Sequence, residues 1–176
     1  MQQSEAIRLL STPELDVREP QTWTDLGCGD GVFTRALASL LAPQSTIHAM
    51  DRDVTAMKAL PREHHGVRIR PWVGDVTAMP WPFGTVDGVL AANLLHFVRS
   101  QASFLRGCRE QISPRGHLLV VEYDTDRSNR WVPYPVRSRT LTDLCTAAGF
   151  ARAVILRSRA SIYQRAPLYS VLAMNG

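Results

Sequence analysis

Short apolar runs alternate along this chain with longer segments in which apolar side chains recur every three or four positions. Thr22–Leu26, Val67–Val73, Val86–Ala92 and Leu168–Met174 have strand length, as do 46–50 and 117–122, and 153–156 is apolar on both faces. Between them, 33–41 puts Phe33, Leu37, Leu40 and Leu41 on one helical face and stops at Pro43. Residues 54–60 end at Pro61, 100–112 stop before Pro114, and 138–148 are capped by Gly149, each reading as a helix. The segment 124–139 holds Pro133 and Pro135 and has no period, so it reads as a long loop. Strands alternating with helices predict an α/β, doubly wound, mostly parallel sheet covered on both faces. The connector 161–167 is shorter than the dozen or so residues a parallel crossover needs, which makes the last strand antiparallel.

With 176 residues, 45% hydrophobic and 20% charged, the chain fits one folded domain over 1–176 that needs neither disulfides nor a structural metal. Cys28, Cys108 and Cys145 are widely spaced, with no CxxC pair, and His64-His65 has no ligand partner at useful spacing, so no metal site is expected. Glu5 and Arg8 interrupt the first ten residues, which therefore lack the core of a secretory leader, and no run approaches the ~18 apolar residues of a membrane span. The expectation is a reduced, cytoplasmic protein with no membrane partner.

Charge is unevenly placed. Up to Asp126 there are 12 basic and 15 acidic residues, whereas from Arg127 onward eight arginines face the single acid Asp143, and the whole carries +4. Nineteen of the twenty basic residues are arginine, a bias that a GC-rich genome produces as readily as a partner does.

The candidate chemistry begins at Asp25-Leu26-Gly27-Cys28-Gly29-Asp30-Gly31, between a predicted strand and a predicted helix. Glycines there let the backbone turn tightly and leave room for a ligand lying directly on it, while the following helix aims free amides at the same place. The third glycine comes one residue too early for the dinucleotide fingerprint, which disfavours NAD. Asp51 ends the second strand 20 residues after Gly31, where an acid can accept from both hydroxyls of a ribose, and Gly74-Asp75 ends the third strand at the same edge. Asp30 and Asp53, beside these acids, read as exposed or helix-capping.

At these residues the chain resembles the class I S-adenosylmethionine-dependent methyltransferases. Residues 25–31 are similar to that family's first motif, Asp51 to its ribose-binding acid, Asp75-Val76 to its adenine contact, and 79–89 with Asn93-Leu94-Leu95-His96 to its fourth-strand motif. Ile112-Ser113-Pro114-Arg115-Gly116 is similar to the turn into its fifth strand, except that Arg115 stands where a glycine is common. The resemblance implies a Rossmann-like sheet of seven strands with the last antiparallel, and S-adenosyl-L-methionine as cofactor. Asp25 would orient the loop and the methionine ammonium. The backbone of Gly27, Cys28, Gly29 and Gly31 would pass under the cofactor, Asp51 would hold the ribose, and Arg52 would cover the adenine. Asp75 with the Val76 amide would bind the adenine edge, and the Asn93 backbone carbonyl would receive the amino group.

Methyl transfer from a sulfonium is an in-line displacement, so positioning does most of the work, and a base is needed only when the acceptor carries a proton. His96, following the fourth strand, is the candidate base, weighed against a packed structural histidine. Glu122 and Asp124 end the fifth strand on the same edge, where they either face an acceptor or balance Arg127 and Arg130, and charge balance is the reading adopted for them. For the acceptor, residues 1–20 offer a lid helix built on Ala6, Ile7, Leu9 and Leu10, and 124–139 an acceptor-side loop in which Trp131 and Tyr134 either line a pocket or pack the loop. Arg137 and Arg139, with Arg157, Arg159 and Arg165 from the last strands, would suit an anionic acceptor. The reading adopted is methyl transfer to a small organic molecule. RNA or protein as acceptor, favoured by the thin lid and the basic C-terminal half, is the runner-up, followed by a non-catalytic cofactor-binding partner subunit. Nucleic acid is the less favoured partner, and short lids are sometimes completed by a second subunit, as in a homodimer.

Overall fold

The computed structural model describes residues 1–15, 18–159 and 166–176. Its strands are β1 (Thr22–Leu26), β2 (Thr46–Asp51), β3 (Glu63–His64), β4 (Val67–Val73), β5 (Val86–Ala92), β6 (Ile112–Tyr123), β7 (Arg152–Arg159) and β8 (Leu168–Met174). The helices are α1 (Gln3–Leu10), α2 (Val32–Ala38), α3 (Val54–Ala59), α4 (Gln101–Gln111) and α5 (Ser138–Ala147). All the strands join one sheet in the order β3-β4-β2-β1-β5-β6-β8-β7. Pairing is parallel from β4 through β2, β1 and β5 to β6, and β8 runs antiparallel to both β6 and β7. The sheet is therefore the doubly wound α/β sheet with an antiparallel last strand that the alternation of elements predicts.

Both faces of the sheet are covered, and β6 shows how the sequence achieves it. Leu118 and Val120 pack with Phe104, Leu105 and Cys108 of α4 and with Leu141 and Cys145 of α5. Leu119 and Val121 turn the other way, into a second core with Ala6, Leu9 and Leu10 of α1 and Phe33 and Leu37 of α2. A strand buried on both sides has no polar positions to alternate with, which is why these segments read as continuous apolar runs. Met57 of α3 and the adjoining Leu60 close a third cluster against Ala49 and Ile69.

Two features differ from the sequence reading. His64, where the sequence predicts no strand, lies in a strand only two residues long, the eighth among the described residues, paired antiparallel as Glu63↔Arg68 and His64↔Val67. The hairpin closes through His65 and Gly66 at φ 51° and 75°, left-handed values that a two-residue turn of the right twist requires. Strand β6 begins at Ile112 rather than near Gly116, and its register against β5 jumps between Val86 and Gly88. A side chain at Gly116 would stand 2.6 Å from the Asp87 carbonyl, so this close approach admits only glycine. The connection from β4 to β5 contains no helix, and Trp72, Trp81 and Phe83 fill the space, with the Trp81 indole donating to the Val76 carbonyl at 2.9 Å.

The strand order reverses at β1, which has β2 on one side and β5 on the other. In open α/β sheets the crevice at the carboxyl ends of the strands at such a switch point is where ligands bind. The glycine loop follows β1 directly.

Candidate functional site

The loop after β1 is held by the next strand. The amides of Gly27 and Cys28 donate to the Met50 carbonyl at 2.8 and 3.2 Å, and the Gly29 amide donates to Asp51 Oδ2 at 2.9 Å. Gly27, Gly29 and Gly31 have φ of 67°, 50° and 78°, and a methyl group on Gly31 would sit 2.1 Å from Leu60 Cδ1, whereas one on Gly29 would meet nothing within 4 Å. Gly31 is thus held by its left-handed backbone and by the Leu60 side chain lying against it, and Gly29 faces open space.

Asp25 ends up in the core of the site. It is buried, Thr34 of α2 donates its hydroxyl to Oδ2 at 2.6 Å, and Oδ1 has no partner. Burial pushes its carboxyl up to about 7, opposed by the Thr34 bond and helped by the nearby Asp51 charge. Asn93, following β5, adopts φ 54° and donates its amide to Val121, and its side-chain Oδ1 is also buried without a partner. Buried polar atoms are normally satisfied, so two orphaned oxygens in one place mark a ligand-binding wall. Asp51 Oδ1 accepts from the Asp53 amide at 2.9 Å, so backbone amides fix both oxygens of this carboxylate while each keeps a lone pair to offer.

Two cavities meet over this wall, sharing Gly27 and Asn93. One, about 290 Å³, is lined by Asp25, Gly29, Phe33 and Tyr123, with Met1 at its rim. The other, about 470 Å³, is lined by Asp51, Arg52, Gly74, Val76, Leu94 and Phe97. Together they form an elongated cleft with a buried acid at one end and a fixed carboxylate at the other.

A methyltransferase-domain family model matches residues 24–120, more than half of the chain. The chain belongs to the class I S-adenosylmethionine-dependent methyltransferase family. Among curated relatives, it is 33% identical over 110 residues to a malonyl-[acyl-carrier protein] O-methyltransferase of Legionella pneumophila, covering 61% of this chain and 38% of that protein. It is 29% identical over 121 residues to a trans-aconitate 2-methyltransferase of Pseudomonas paraeruginosa, covering 68% of this chain and 42% of that one. The chain therefore spans well under half the length of these relatives. The fold is shared with the N-terminal domain of EvdMO1 with SAH bound, at TM-score 0.72 and 16% identity over 100% of this chain and 82% of that one. It is shared likewise with YcgJ of Bacillus subtilis, at TM-score 0.74 and 10% identity over 98% of both chains.

The remaining predicted site residues of this methyltransferase domain fall in two groups. Near the cleft, Arg52 stands 3.9 Å from Asp75, both well exposed, and Asp75 accepts from the Thr77 amide and hydroxyl, which hold its carboxyl below the usual range. Cys28 is buried with its thiol pushed up by burial, a packed residue rather than a reactive one. Asp30 is exposed and accepts from the Val32 amide, and Asp53 caps α3 by accepting from Thr55 and Ala56.

The second group does not line the cleft, although the His96 ring packs against two residues that do, Phe97 and Tyr123, at centroid distances of 4.2 and 6.1 Å. His96 is buried and lines neither cavity, its Nδ1 2.6 Å from Glu122 Oε2 and its amide donating to Glu122 Oε1 at 3.2 Å. The charge-balance reading of Glu122 and Asp124 is thereby corrected. Glu122 is buried against His96, and Asp124 accepts from the Ser138 amide and hydroxyl at the start of α5, so neither acid meets Arg127 or Arg130. Trp131 is 66% and Tyr134 41% exposed, neither lines the cleft, and Arg130 lies over the Trp131 ring at 5.1 Å. Arg137 pairs with Asp126, Arg139 is exposed, Arg157 is exposed, and Arg159 reaches Glu5 at 2.5 Å, while Arg165 lies outside the described residues.

Thr34, Phe33, Leu94 and Tyr123 belong to the site and were not singled out by the sequence. Thr34 had one usable signal, its place in the first turn of the helix that follows the glycine loop. Helix α1 packs Ala6, Leu9 and Leu10 against the core, and among the described residues of 1–20 only Met1 reaches the cleft.

Proposed function

We propose that this chain transfers the methyl group of S-adenosylmethionine to a small organic acceptor bearing a carboxylate. The observation that carries the reading is the pair of orphaned oxygens, Asp25 Oδ1 in a residue lining the first cavity and Asn93 Oδ1 in a residue that both cavities share. A ligand with an ammonium group would satisfy them, and a nucleoside fits the end where Asp51 presents a carboxylate held by two amides.

In this reading Asp25 and Asn93 bind the amino-acid portion, the Gly27 and Gly29 backbone passes beneath the ligand, and Asp51 takes the ribose hydroxyls. Arg52 and Val76 flank the base. When bound, the cofactor supplies a sulfonium methyl already activated for displacement. The chain's own residues then orient the acceptor at the end lined by Met1, Phe33 and Tyr123 and keep water out.

Two considerations support a carboxylate acceptor. A carboxylate attacks without losing a proton, and His96, the candidate base, is buried against Glu122 behind Phe97 and Tyr123 and lines neither cavity. The curated relatives named for malonyl-[acyl-carrier protein] and trans-aconitate act on compounds that carry carboxylates. Helix α1 with Met1 serves as a partial lid, and 1–176 folds as one unit. Labelled-methyl transfer to a panel of carboxylic acids, with nucleic acid and protein fractions in parallel, tests the proposal. Label appearing as methyl ester supports it, and label confined to RNA or protein overturns it.

A further inference from the structure

The largest cavity bordering the cleft is not part of it. It lies between the 3₁₀ turn Leu95–Phe97 and α4, measures about 660 Å³, and touches the cofactor cleft only through Arg52 and Phe97, at the end opposite Asp25 and Tyr123. That volume falls within the ~300–1,000 Å³ typical of ligand pockets.

Its floor is apolar, formed by Met79, Val98 and Phe104, and it is firmly packed. A side chain on Gly107 would stand 2.2 Å from Met79 Sδ, so the α4 backbone lies directly on that methionine. Phe97, 56% exposed, forms one wall, an unusual amount of open surface for a large aromatic ring. Three guanidinium groups, from Arg52, Arg99 and Arg106, ring the opening against one acid, Glu110. Among the described residues Arg99 has no hydrogen-bond or ion-pair partner, Arg106 reaches only the Ser103 hydroxyl at 3.1 Å, and Arg52 is 3.9 Å from Asp75. Ser100, the residue before α4, offers no side-chain cap to that helix, so the amides of its first turn add to the positive field. Arg99 and Arg106, neither paired with an acid, together with Arg52, whose ion pair with Asp75 is long and exposed, are complementary over an apolar floor to one chemical class.

We propose that this cavity binds an amphipathic organic anion, its phosphate or carboxylate held by Arg52, Arg99 and Arg106 and its apolar body lying on Phe97. The bound anion sits beside the nucleoside end of the cleft and away from the acceptor end, so it is an effector or accessory ligand and not the methyl acceptor. Because Arg52 lines both cavities, occupancy of one is felt in the other.

Calorimetry on the full chain, with phenyl phosphate as probe and inorganic phosphate for comparison, tests this without reference to methyl transfer. Phenyl phosphate should bind one to one and at least about tenfold more tightly than inorganic phosphate. Arg99→Ala with Arg106→Ala should weaken it by about tenfold or more, and Phe97→Ala should bring the two probes to equal affinity. The equally charge-depleted pair Arg127→Ala with Arg157→Ala should leave binding unchanged. The proposal is overturned if the probe gives no saturable heat at millimolar concentration, if both arginine pairs reduce binding alike, or if Phe97→Ala has no effect in a chain whose circular dichroism matches the parent.

Discussion

Thr34 donates its hydroxyl to one oxygen of Asp25 at 2.6 Å and leaves the other, buried, with no partner. This half-satisfied carboxyl stores a cost in the empty protein that a bound cation relieves. Its folded value of about 7 exceeds the ordinary 3.8. Between those two pH values the folded chain keeps a proton that the unfolded chain has released. The Asp25 contribution to stability is therefore full below that window and is lost as pH rises through it, by at most about 1.4 kcal/mol per pH unit, against the opposite slope from His48, His64 and His117, whose burial lowers their values. Chemical denaturation across that range should show this loss as the difference between the parent and Asp25→Asn.

The same carboxyl predicts a proton count. An ammonium beside Asp25 favours its ionised form, so binding of S-adenosylhomocysteine at about pH 6.5 should release protons. Calorimetry in buffers of different ionisation enthalpy should detect the release in the parent and lose the Asp25 part of it in Asp25→Asn.

Gly29 and Gly31 share left-handed backbone but should fail differently. Gly29→Ala has space for its methyl group and bears only the backbone cost, on the order of 1–2 kcal/mol, while blocking the cleft. Gly31→Ala adds a collision with Leu60 worth roughly 1–3 kcal/mol more. Thermal melts should rank Gly31→Ala as the less stable, and cofactor titration should show Gly29→Ala losing affinity far beyond its loss of stability.

Asp51 is fixed by the Gly29 and Asp53 amides and is partly exposed, so Asp51→Ala should cost about 1 kcal/mol of stability. Its effect on cofactor affinity should be larger, about tenfold to a hundredfold, because two ribose hydroxyls lose their acceptor. Equal small effects on both would remove Asp51 from the site.

His96 and Glu122 should behave as a structural pair. His96→Ala leaves a buried carboxylate alone and should destabilise by about 3–5 kcal/mol, with Glu122→Gln in the same chain recovering part of it. His96→Gln, which keeps a donor for Glu122, should fold and turn over within a few-fold of the parent; a loss of several hundredfold with cofactor binding intact would make His96 the base after all.

Much of the sheet could be read in advance because its strands are buried on both faces, and runs such as Val86–Ala92 announce themselves without regard to partners. Strand β3 could not, since two residues carry no period and its existence depends on pairing with Val67 and Arg68 across the His65-Gly66 turn. The glycine loop and Asp51 were legible because local spacing alone ties them to consecutive strand ends. Glu122 was not, because its partner His96 lies 26 positions earlier and only the neighbouring alignment of β5 and β6 brings them together. The partners of the exposed arginines were hidden for a related reason, as Arg137 meets Asp126 and Arg159 meets Glu5 only once the chain is folded.

The loop from Asp124 to Ser138 is fastened at both ends and near its middle. Asp124 accepts from Ser138, the Tyr134 amide donates to the His96 carbonyl, and the Tyr169 hydroxyl donates to the Val136 carbonyl at 2.8 Å. The span from Arg127 to Trp131 contributes to none of these fastenings. Descendants of this protein can rewrite that span freely, since changes there disturb neither the fastenings of the loop nor the cleft on the other half of the molecule.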